Sequence, residues 1–473
     1  MIKLNKNNLS LIKNIDTLPK YDISKKNKFI LHFGVGKFHR AHQAFFINEI
    51  LNLNNDYALI GINVRTKKVI EKLKKQDYLY TLLECSNNTR KIHIINSISD
   101  IIYGKEEKEK IRKLITDSNN KVITLTITEK GYNYNNFTNS LDKTEIIKSD
   151  FKDDKLSTAI SHLSYGLIER FKNTKESIYI LSCDNLSNNG NILKKVISDF
   201  IFEVNKQPNY WLDEKVFFPN TMVDCIVPNT NYIPSDINLN YIDDSFVICE
   251  PYRDWYIESD DAFLKSIFIH PRIKFVDDVS FYEDIKLKIL NASHSAIAYL
   301  GLLFDYNYVH EAISDKIISV FISKYLDLEV LPNLRIKDGF EIEKYKNSVI
   351  KRFSNKYLNH RLDQIATDGS IKIPIRIMST YSNSIKKNKY YFTATIIAAW
   401  ILFLKSKTLT GKKIQVHDAN LNILEDFIYL EANEMINGIL SIKKTFNIDD
   451  IEKNKLIKNV LNKMKELEKG NIF

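Results

Sequence analysis

The chain has 473 residues, of which 44% are hydrophobic and 11% aromatic, and a formal net charge of +10. This composition is typical of a folded protein rather than a disordered one, and the length predicts two domains, because one hydrophobic core rarely organises so many residues. The positive charge does not predict nucleic-acid binding, since lysines alternate with acids, as they do between Lys105 and Lys110.

The cysteines and the apolar runs exclude further classes of protein. The four cysteines stand far apart, without the spacing of a zinc site or a disulfide framework, at Cys85, Cys183, Cys225 and Cys249. We therefore expect no metal, and a reducing cytoplasm. The first twenty residues lack the continuous apolar core of a signal peptide. The apolar run 390–404 is shorter than the roughly 20 residues of a membrane span, so it predicts a buried helix and no membrane association.

In the first half of the chain, apolar β-branched runs alternate with helical patterns. Strands are predicted at 28–34, 57–64, 91–96, 122–128, 178–183 and 246–250. Helices are predicted between them at 38–51, 67–75, 106–115 and 158–171. Strands that alternate with helices indicate parallel strands joined by crossover helices. Residues 1–277 are therefore predicted to form a Rossmann-like, doubly wound α/β domain that binds NAD or NADP.

After residue 277 the pattern changes to helical periodicity with little strand-like alternation. Helices are predicted at 285–303, 311–325, 342–352, 390–404 and 420–437. Residues 278–473 are therefore predicted to form a mainly α-helical domain that carries the substrate site and the catalytic groups.

The first predicted strand runs into a glycine turn and then a helix. Gly34 permits a tight turn, and Gly36 lets the backbone approach a pyrophosphate, which would then lie against the helix N-terminus. The pattern departs from G-x-G-x-x-G because His39 takes the third glycine position. The helix opens with Phe38, His39 and Arg40, of which Arg40 can neutralise phosphate. The alternative is an ordinary strand-to-helix turn.

The second predicted strand ends without an acid. An NAD-specific enzyme usually places Asp or Glu there, against the ribose 2′-hydroxyl. Here Arg65, Thr66, Lys67 and Lys68 follow the strand, and their three cations suit a 2′-phosphate. The alternative is that Lys67 and Lys68 only begin a solvated helix. The cofactor is thus predicted to be NAD or NADP, with the choice open.

A lysine, an amide and an imidazole interrupt an apolar helical pattern near residue 290. On an α-helix of about 100° per residue, with Lys286 at zero, His294 lies at about 80° and Asn291 at about 140°. Lys288 lies at about 200°, so Lys286 is the better candidate for chemistry. The alternative is that Lys286 reaches solvent and Asn291 only satisfies backbone groups.

A second amide follows the buried strand 178–183. Ligands in open α/β sheets bind at the carboxyl ends of strands, so Asn185 is a candidate for the same site as Asn291. The alternative is that Asp184 or Asn185 serves as a helix N-cap.

These segments, taken together, resemble the long-chain polyol dehydrogenases, a family of mannitol and fructuronate enzymes. The resemblance covers nearly the whole chain and includes 32–44, 126–132, 182–186, 218–224, 249–252, 308–311, 368–376 and the Lys286, Asn291 and His294 helix. It implies metal-independent catalysis with Lys286 as the acid/base. Asn185 and Asn291 are implied as oxyanion donors and His294 as a group that orients the substrate. Glu129, within the matching segment 126–132, is assigned to the cofactor site.

The substrate implied by the resemblance is a polyol or its ketose, with D-mannitol and D-fructose as the leading pair. Asp224 would accept a hydrogen bond from a substrate hydroxyl, and Lys372 would bind the far end of the substrate. A hexuronate is the alternative substrate, and Arg361, Lys372 and Arg376 would then supply a cation for its carboxylate. A protein that binds NAD(P) or sugar without catalysis is a second alternative. By analogy with the family we expect a monomer or a homodimer.

Overall fold

The computed structural model describes residues 1–152, 156–229, 232–381, 390–442, 446 and 450–473. The chain divides into two units, Met1–Ser280 and Phe281–Phe473. The first is built on a parallel sheet, and the second is helical.

Six parallel strands form the main sheet of the first unit. They are β1 (Lys28–Phe33), β2 (Tyr57–Asn63), β3 (Ile98–Tyr103), β4 (Val122–Leu125), β5 (Ile178–Ser182) and β6 (Val216–Phe217). Their order in the sheet is β3-β2-β1-β4-β5-β6, and every neighbouring pair is parallel. This is the strand order of the doubly wound dinucleotide-binding fold, so the predicted fold class of this unit is confirmed.

Both faces of the main sheet are covered, which explains the continuous apolar runs of its strands. Successive residues of a strand project to opposite faces. On β1, Ile30 belongs to an apolar cluster that includes Phe46, whereas Leu31 belongs to a second cluster that includes Leu163. A strand buried on both sides cannot alternate apolar with polar residues, so its sequence reads as one hydrophobic run.

Helices and smaller sheets complete the first unit. The helices are Lys37–Ala41, Gln43–Leu51, Lys68–Lys74, Lys108–Thr116, Glu145–Asp150, Ala159–Asn173, Asn189–Asn205, Tyr210–Lys215 and Ala262–Ile267, with 3-10 turns at Lys6–Leu11, Ile23–Lys25 and Glu129–Tyr132. Tyr80–Cys85 pairs with Arg90–Ile95 and Val247–Cys249, and Asp254–Glu258 pairs with Thr221–Asp224 and Ile273–Val276. Two-stranded pairs join Ile2–Lys3 with Tyr241–Ile242 and Tyr134–Asn135 with Ser140–Leu141.

All six predicted strands exist, but two of them lie outside the main sheet. Arg90–Ile95 and Val247–Cys249 belong to the sheet of Tyr80–Cys85. The third position of the main sheet is taken by β3, which was not predicted because Ser99 and Asp100 interrupt its apolar run. The predicted helix 38–51 is broken at His42, whose φ of −118° and ψ of −87° are not helical.

The described part of the second unit is helical, as predicted. Its α-helices are Ser280–Ile285, Ala292–Leu303, Val309–Ser314, Lys316–Tyr325, Ile342–Phe353, Leu362–Ala366, Gly369–Ile373, Tyr391–Leu404, Leu421–Ile428, Ala432–Leu440 and Asp450–Glu468. Three segments are π-helical, at Lys286–Asn291, Leu326–Val330 and Pro374–Met378, and Leu331–Asn333 is a 3-10 turn.

The apolar helix Tyr391–Leu404 lies in the core of the second unit. Every residue from Phe392 to Leu404 is buried, as the sequence predicted. The carboxylate of Glu329, itself buried, accepts hydrogen bonds from the backbone amides of Phe392 and Thr393 at 2.7 and 2.8 Å. These bonds satisfy donors of the first helical turn that have no partner within the helix. Among the described helices, none combines the length and hydropathy that crossing a membrane requires.

Buried histidines make the stability of the protein depend on pH. Desolvation lowers the pKa of His32 to about 3 and that of His93, His270 and His360 to about 4, below an ordinary value of 6.5. Below pH 6.5 these histidines therefore bind protons in the unfolded chain, whereas in the folded chain they stay neutral. We expect the free energy of unfolding to fall as the pH drops from 6.5 towards 4, by up to ~1.4 kcal/mol per pH unit for each of His32, His93 and His360, and by less for the half-buried His270.

The measurement is the thermal unfolding midpoint between pH 7.5 and 4.5. His93→Asn removes one buried imidazole and is expected to make the decline shallower, whereas His417→Asn at an exposed position is the matched control. An identical decline in His93→Asn and the unmodified protein would contradict this origin of the pH dependence.

Candidate active site

The turn after β1 requires glycine at its first position. Gly34 has a φ of +96°, and a Cβ there would overlap the carbonyl oxygen of Thr126 at the end of β4. Thr126 Oγ1 donates to the carbonyl oxygen of Gly34 at 2.7 Å. On the other side, the backbone amide of Val35 donates to Asn63 Oδ1 at 2.7 Å. The carboxyl ends of β1, β2 and β4 are thus joined at one point, and the positive φ there is one that glycine adopts without strain.

Gly36 is different, because the protein itself does not require a glycine there. The nearest atom to a Cβ at this position would be the carbonyl oxygen of Gly34, 3.9 Å away. Gly36 lines a large cavity, so the absence of a side chain at this position leaves room for a ligand and is not required by the packing of the fold.

The cavity has a volume of about 1380 Å³ and lies at the carboxyl ends of β1, β2 and β4. All the residues that line it belong to the first unit. Drug-sized ligands occupy about 300–1,000 Å³, so this cavity is large enough for a dinucleotide. Its charged lining consists of Lys37, Arg40, Arg65, Lys68, Lys72 and Lys105 against Glu145 and Asp244. An anionic ligand is therefore favoured.

The electrostatics of the cavity also favour an anionic ligand. The pKa of Lys37 is lowered by burial first, and then by the positive charges of Arg40 and Lys72. Cations that disfavour one another's charge are stabilised when an anion binds between them. Arg40 is 5% exposed, and its Nε donates to the carbonyl oxygen of Gly36 at 3.2 Å, so it also fixes the glycine turn.

Five of the predicted cofactor residues line this cavity: Gly34, Gly36, Arg40, Arg65 and Thr66. Four others, Phe38, His39, Lys67 and Glu129, are not among the lining residues. His39 is fully buried, and its ring stacks on His32 with centroids 3.5 Å apart. Phe38 stacks on His42 at 5.1 Å, and Lys67 forms an ion pair with Glu106. The third glycine position thus serves the packing of the helix against β1.

Sequence reasoning missed several lining residues. Lys72 follows Lys68 by four residues on the helix Lys68–Lys74, a spacing that puts both on one helical face. That spacing was visible in the sequence. Lys105 could not be predicted as a lining residue, because it follows β3, a strand that was not predicted.

The turn after β5 is held by Asp184 and exposes Asn185. The Asp184 carboxylate accepts from the backbone amides of Ile127 and Thr128, each at 2.9 Å, and burial raises its pKa. Asn185 is exposed at the carboxyl end of the strand. The N-cap interpretation is wrong for both residues, because the following helix begins at Asn189 with Asn188 as its N-cap.

Asp224 is the last residue of the strand Thr221–Asp224 and is 1% exposed. It lies near Asp254, whose pKa is raised by burial first and by the charge of Asp224 as a smaller cause. A buried carboxylate at a strand end suits hydrogen bonding to a hydroxyl, but its predicted role stays a prediction.

In the second unit, the predicted catalytic helix contains a π-helical turn. The segment Lys286–Asn291 links two α-helices, and the backbone amide of Ala292 donates to the carbonyl oxygen of Leu287, five residues back. The wheel of an ideal α-helix therefore does not apply, and the angle of about 140° between Lys286 and Asn291 is wrong. Residues five apart are neighbours along a π-helix, so the wider turn brings these two positions onto one face.

The two lysines of this segment have different surroundings. Lys286 is 7% exposed, so the alternative of a lysine that reaches solvent is wrong. Lys288 forms an ion pair with Asp284 at 2.7 Å on the same helix. The choice of Lys286 over Lys288 as the chemical group is therefore consistent with their burial and contacts.

Polar atoms near this helix have no protein partner. The Nε2 atom of His294 and the Nδ1 atom of His360 are buried, and neither finds a hydrogen-bond partner among the residues that the structure describes. Within the same described part of the chain, the side-chain amide of Asn291 also has none. Buried polar groups are nearly always hydrogen-bonded, so unsatisfied ones indicate a ligand or water. The rings of His294 and His360 lie 5.2 Å apart.

Cations surround these imidazoles. Burial, and then the charges of His360 and Arg376, hold the pKa of His294 well below its ordinary value, and Lys372 adds to the effect. Arg376 Nη1 donates to the carbonyl oxygen of Asn291 at 3.3 Å and to Ser295 Oγ at 3.1 Å. The structure thus brings four predicted residues together in the second unit: Asn291, His294, Lys372 and Arg376.

Among the predicted substrate residues, Arg361 has the contacts that are least compatible with binding a substrate. Its guanidinium binds the carboxylate of Asp363 through two hydrogen bonds, of 2.9 and 2.5 Å, and its side chain is 57% exposed. An arginine so engaged is less available for a substrate carboxylate. Lys372 Nζ donates to the carbonyl oxygen of Ile365 at 3.0 Å.

The described residues contain no group of three or more His, Cys, Asp or Glu side chains that could hold a metal ion. The groups that the sequence predicted for chemistry in the second unit are an amine, an amide and an imidazole. This set can move a proton and hold a developing alkoxide.

Comparisons with known proteins agree with the geometry of both units. The profile of the mannitol dehydrogenase Rossmann domain matches residues 28–269, and that of the mannitol dehydrogenase C-terminal domain matches residues 278–468. Mannitol 2-dehydrogenase of Emericella nidulans is 32% identical over 476 residues, which cover 95% of this chain and 93% of that protein. Polyol:NADP oxidoreductase of Gluconobacter oxydans is 32% identical over 404 residues, covering 83% of each chain.

A solved structure is similar over the whole length. The ternary complex of Pseudomonas fluorescens mannitol 2-dehydrogenase with NAD and D-mannitol matches with a TM-score of 0.88 at 27% identity, covering 100% of this chain and 98% of that one. The expected family and enzyme class, a nicotinamide-dependent polyol dehydrogenase, are thereby confirmed. With both domain profiles matched in order along one polypeptide, the chain belongs to the mannitol dehydrogenase family.

Proposed function

We propose that this protein interconverts a polyol and a ketose, with D-mannitol and D-fructose as the leading pair, by metal-independent hydride transfer to or from NAD(P). The observation that carries this proposal is the pair of buried imidazole nitrogens without a hydrogen-bond partner among the described residues, His294 Nε2 and His360 Nδ1, in the unit that also holds the buried Lys286. A polyhydroxylated substrate supplies several hydroxyls, and hydroxyls are partners for such atoms.

The cavity of the first unit fits a dinucleotide. The glycine turn at Gly34 and Gly36 keeps its floor free of side chains, and Lys37 and Arg40 supply positive charge beside it. When bound, the nicotinamide group accepts or donates the hydride. The residues of the turn bind and orient the cofactor, and we assign this role to residues 1–277 and the substrate role to residues 278–473.

Lys286 is the proposed acid/base. In the oxidative direction, its neutral Nζ takes the proton from the carbinol oxygen as the hydride leaves carbon, and in reduction its ammonium returns a proton to that oxygen. Proton transfer of this kind accelerates a reaction by about 10²–10⁴-fold. Lys286 is 7% exposed, so most of its side chain is removed from bulk solvent.

The amides and imidazoles stabilise and orient the reacting alcohol. Asn291 donates its unpartnered amide hydrogens to the developing alkoxide, and Asn185 is proposed as a second donor, as preorganised amides act in an oxyanion hole. His294, neutral because burial lowers its pKa, holds a neighbouring hydroxyl through Nε2. Asp224 is proposed to accept from another hydroxyl, and Lys372 to bind the far end of the substrate.

The second candidate substrate is a hexuronate. The cations Lys372 and Arg376 beside His294 give it a physical basis, because a carboxylate would be attracted to them. The relatives are named for mannitol and for polyols, which favours the neutral substrate. We further propose a cytoplasmic location, in keeping with four cysteines of which none forms a disulfide in the described structure, and, by analogy with the family, a monomer or homodimer.

Replacing Lys286 tests the acid/base role. Lys286→Ala is expected to lower kcat for mannitol oxidation by at least ~10²-fold while the dissociation constant of the cofactor stays unchanged, because the amine acts on the proton and not on the cofactor. Lys288→Ala removes a lysine two residues away and is the matched control. Turnover that survives Lys286→Ala, or that is lost on exhaustive chelation of metals, would refute the mechanism.

The two glycines of the turn are expected to respond differently. Gly36→Ala puts a methyl group into the cavity without meeting protein atoms, so cofactor affinity falls about tenfold or more while the unfolding temperature hardly changes. Gly34→Ala meets the backbone of Thr126 at a positive φ, so the unfolding temperature itself drops. Calorimetric binding and thermal unfolding of both variants separate these effects, and equal destabilisation would contradict the assignment.

Side-by-side reduction of D-fructose, fructuronate and tagaturonate by the purified protein decides the substrate. We expect kcat/KM to be highest for fructose. A hexuronate preference that falls at least tenfold in Arg376→Ala would instead establish the carboxylate-binding alternative. Absence of turnover with all three, in both directions and with either cofactor, would leave only the non-catalytic binding protein.

A further inference from the structure

Two cysteines that are distant in the sequence lie side by side in the first unit. Cys225 directly follows one short strand, and Cys249 is the last residue of another. The backbone amide of Ile226 donates to Glu250 Oε1 at 2.5 Å, and the backbone amide of Glu250 donates to the carbonyl oxygen of Ile226 at 3.2 Å. These bonds hold the two segments together, and the two thiol groups are hydrogen-bonded to one another.

The surroundings of Cys249 favour its thiolate form. This side chain is fully buried, and Arg253 Nη2 donates a hydrogen bond to its sulfur at 2.9 Å. Burial opposes a charge on Cys249, but the hydrogen bond from Cys225 and then the charge of Arg253 lower its pKa below the ordinary value of a thiol. A thiolate beside an arginine is the nucleophilic form of cysteine.

Cys225 is the member of the pair that solvent reaches. It is half-buried, and its pKa is raised by burial first and then by the hydrogen bond that it donates to Cys249. One proton is thus shared between the two sulfurs. Its transfer to Cys249 gives Cys225 the negative charge that attack on an electrophile requires.

The other two cysteines lack this combination of contacts and exposure. Cys85 and Cys183 are both buried. Burial raises the pKa of the Cys85 thiol to about 12 and also raises that of Cys183. A buried neutral thiol acts as a small apolar side chain, and both residues fit that description. Oxidation is therefore expected at Cys225 and not at these two positions.

We propose that Cys225 and Cys249 form a site of reversible oxidation, at which hydrogen peroxide converts the two thiols into a disulfide. The sulfur of Cys225 attacks one peroxide oxygen, the O–O bond breaks, and the hydroxide that leaves takes the shared proton and becomes water. The thiolate of Cys249 then attacks the sulfur of the Cys225 sulfenic acid. The S–S bond forms, and the second hydroxide takes a proton from solvent. The two cysteines lose two electrons, and the peroxide gains them.

The disulfide is expected to disturb a neighbouring residue of the proposed substrate site. Asp224 directly precedes Cys225 and is 1% exposed. An S–S bond of about 2.05 Å is shorter than a hydrogen bond between two thiols, so the two segments must move together. Oxidation also removes the sulfur acceptor of Arg253. We therefore expect KM for the polyol to rise, an effect that rests on the proposed function, whereas the disulfide itself does not.

Peptide mapping of the full chain without reduction tests the site. The reduced protein is treated with a small excess of hydrogen peroxide, denatured, alkylated and digested. We expect the number of free thiols to fall from four to two, a peptide pair linked through Cys225 and Cys249, and recovery of all thiols with dithiothreitol. KM for mannitol is expected to rise at least ~3-fold on oxidation and to return on reduction.

Three variants separate the roles of the cysteines. Cys249→Ala removes the second nucleophile, so the sulfenic acid of Cys225 accumulates and is trapped by dimedone. Cys225→Ala leaves only buried cysteines and is expected to lose no thiol to peroxide under the same conditions. Cys183→Ala, which removes a buried thiol outside the pair, is the matched control and is expected to form the disulfide as the unmodified protein does.

Two outcomes of the mapping overturn the oxidation site. They are the absence of a linked peptide in the unmodified protein, and a link from Cys249 to Cys85 in place of Cys225. A disulfide between the proposed pair that leaves KM unchanged overturns the effect on Asp224. A protein that turns over no polyol or ketose refutes the proposed function, whereas the linked peptide still establishes the oxidation site.

Discussion

The close contact between Gly34 and Thr126 is the constraint on which the cofactor cavity depends. It joins the carboxyl ends of β1 and β4 at a point where a Cβ would overlap the Thr126 carbonyl. On the other side, Asn63 at the end of β2 accepts a hydrogen bond from the backbone amide of Val35. The segments that follow these three strand ends line the cavity. The cavity is therefore a consequence of backbone approach, and its charge is set by the residues that follow β1, β2 and β3.

A second constraint governs the helical unit, where a π-helical turn carries the candidate catalytic groups. The turn spans Lys286–Asn291, and Arg376 donates to the backbone oxygen of its last residue from another π-helical segment, Pro374–Met378. A π-helix is less stable than an α-helix and often marks a functional site. Here it coincides with a buried lysine and lies beside two imidazoles that each have one nitrogen without a hydrogen-bond partner among the described residues.

The two units divide the chemistry between charge and hydrogen bonding. The first unit offers a cationic cavity that suits an anionic ligand, and its half-buried acid Asp184 organises the turn that exposes Asn185. The second offers groups that suit neutral hydroxyls, with histidines kept uncharged by burial and by nearby cations. Under the proposed function, the first environment would recognise the negative charge of the cofactor and the second the hydroxyls of the substrate.

The sequence by itself determined the doubly wound and helical units, the glycine turn and the absence of an acid after β2, because these follow from periodicity and residue type. Only the tertiary structure decided that β3 and not Arg90–Ile95 completes the sheet, since strand pairing joins residues far apart in the chain. It also removed Phe38, His39 and Lys67 from the cavity and added Lys72 and Lys105. Stacking, ion pairing and helical register are set by neighbours in space, which a linear pattern does not specify.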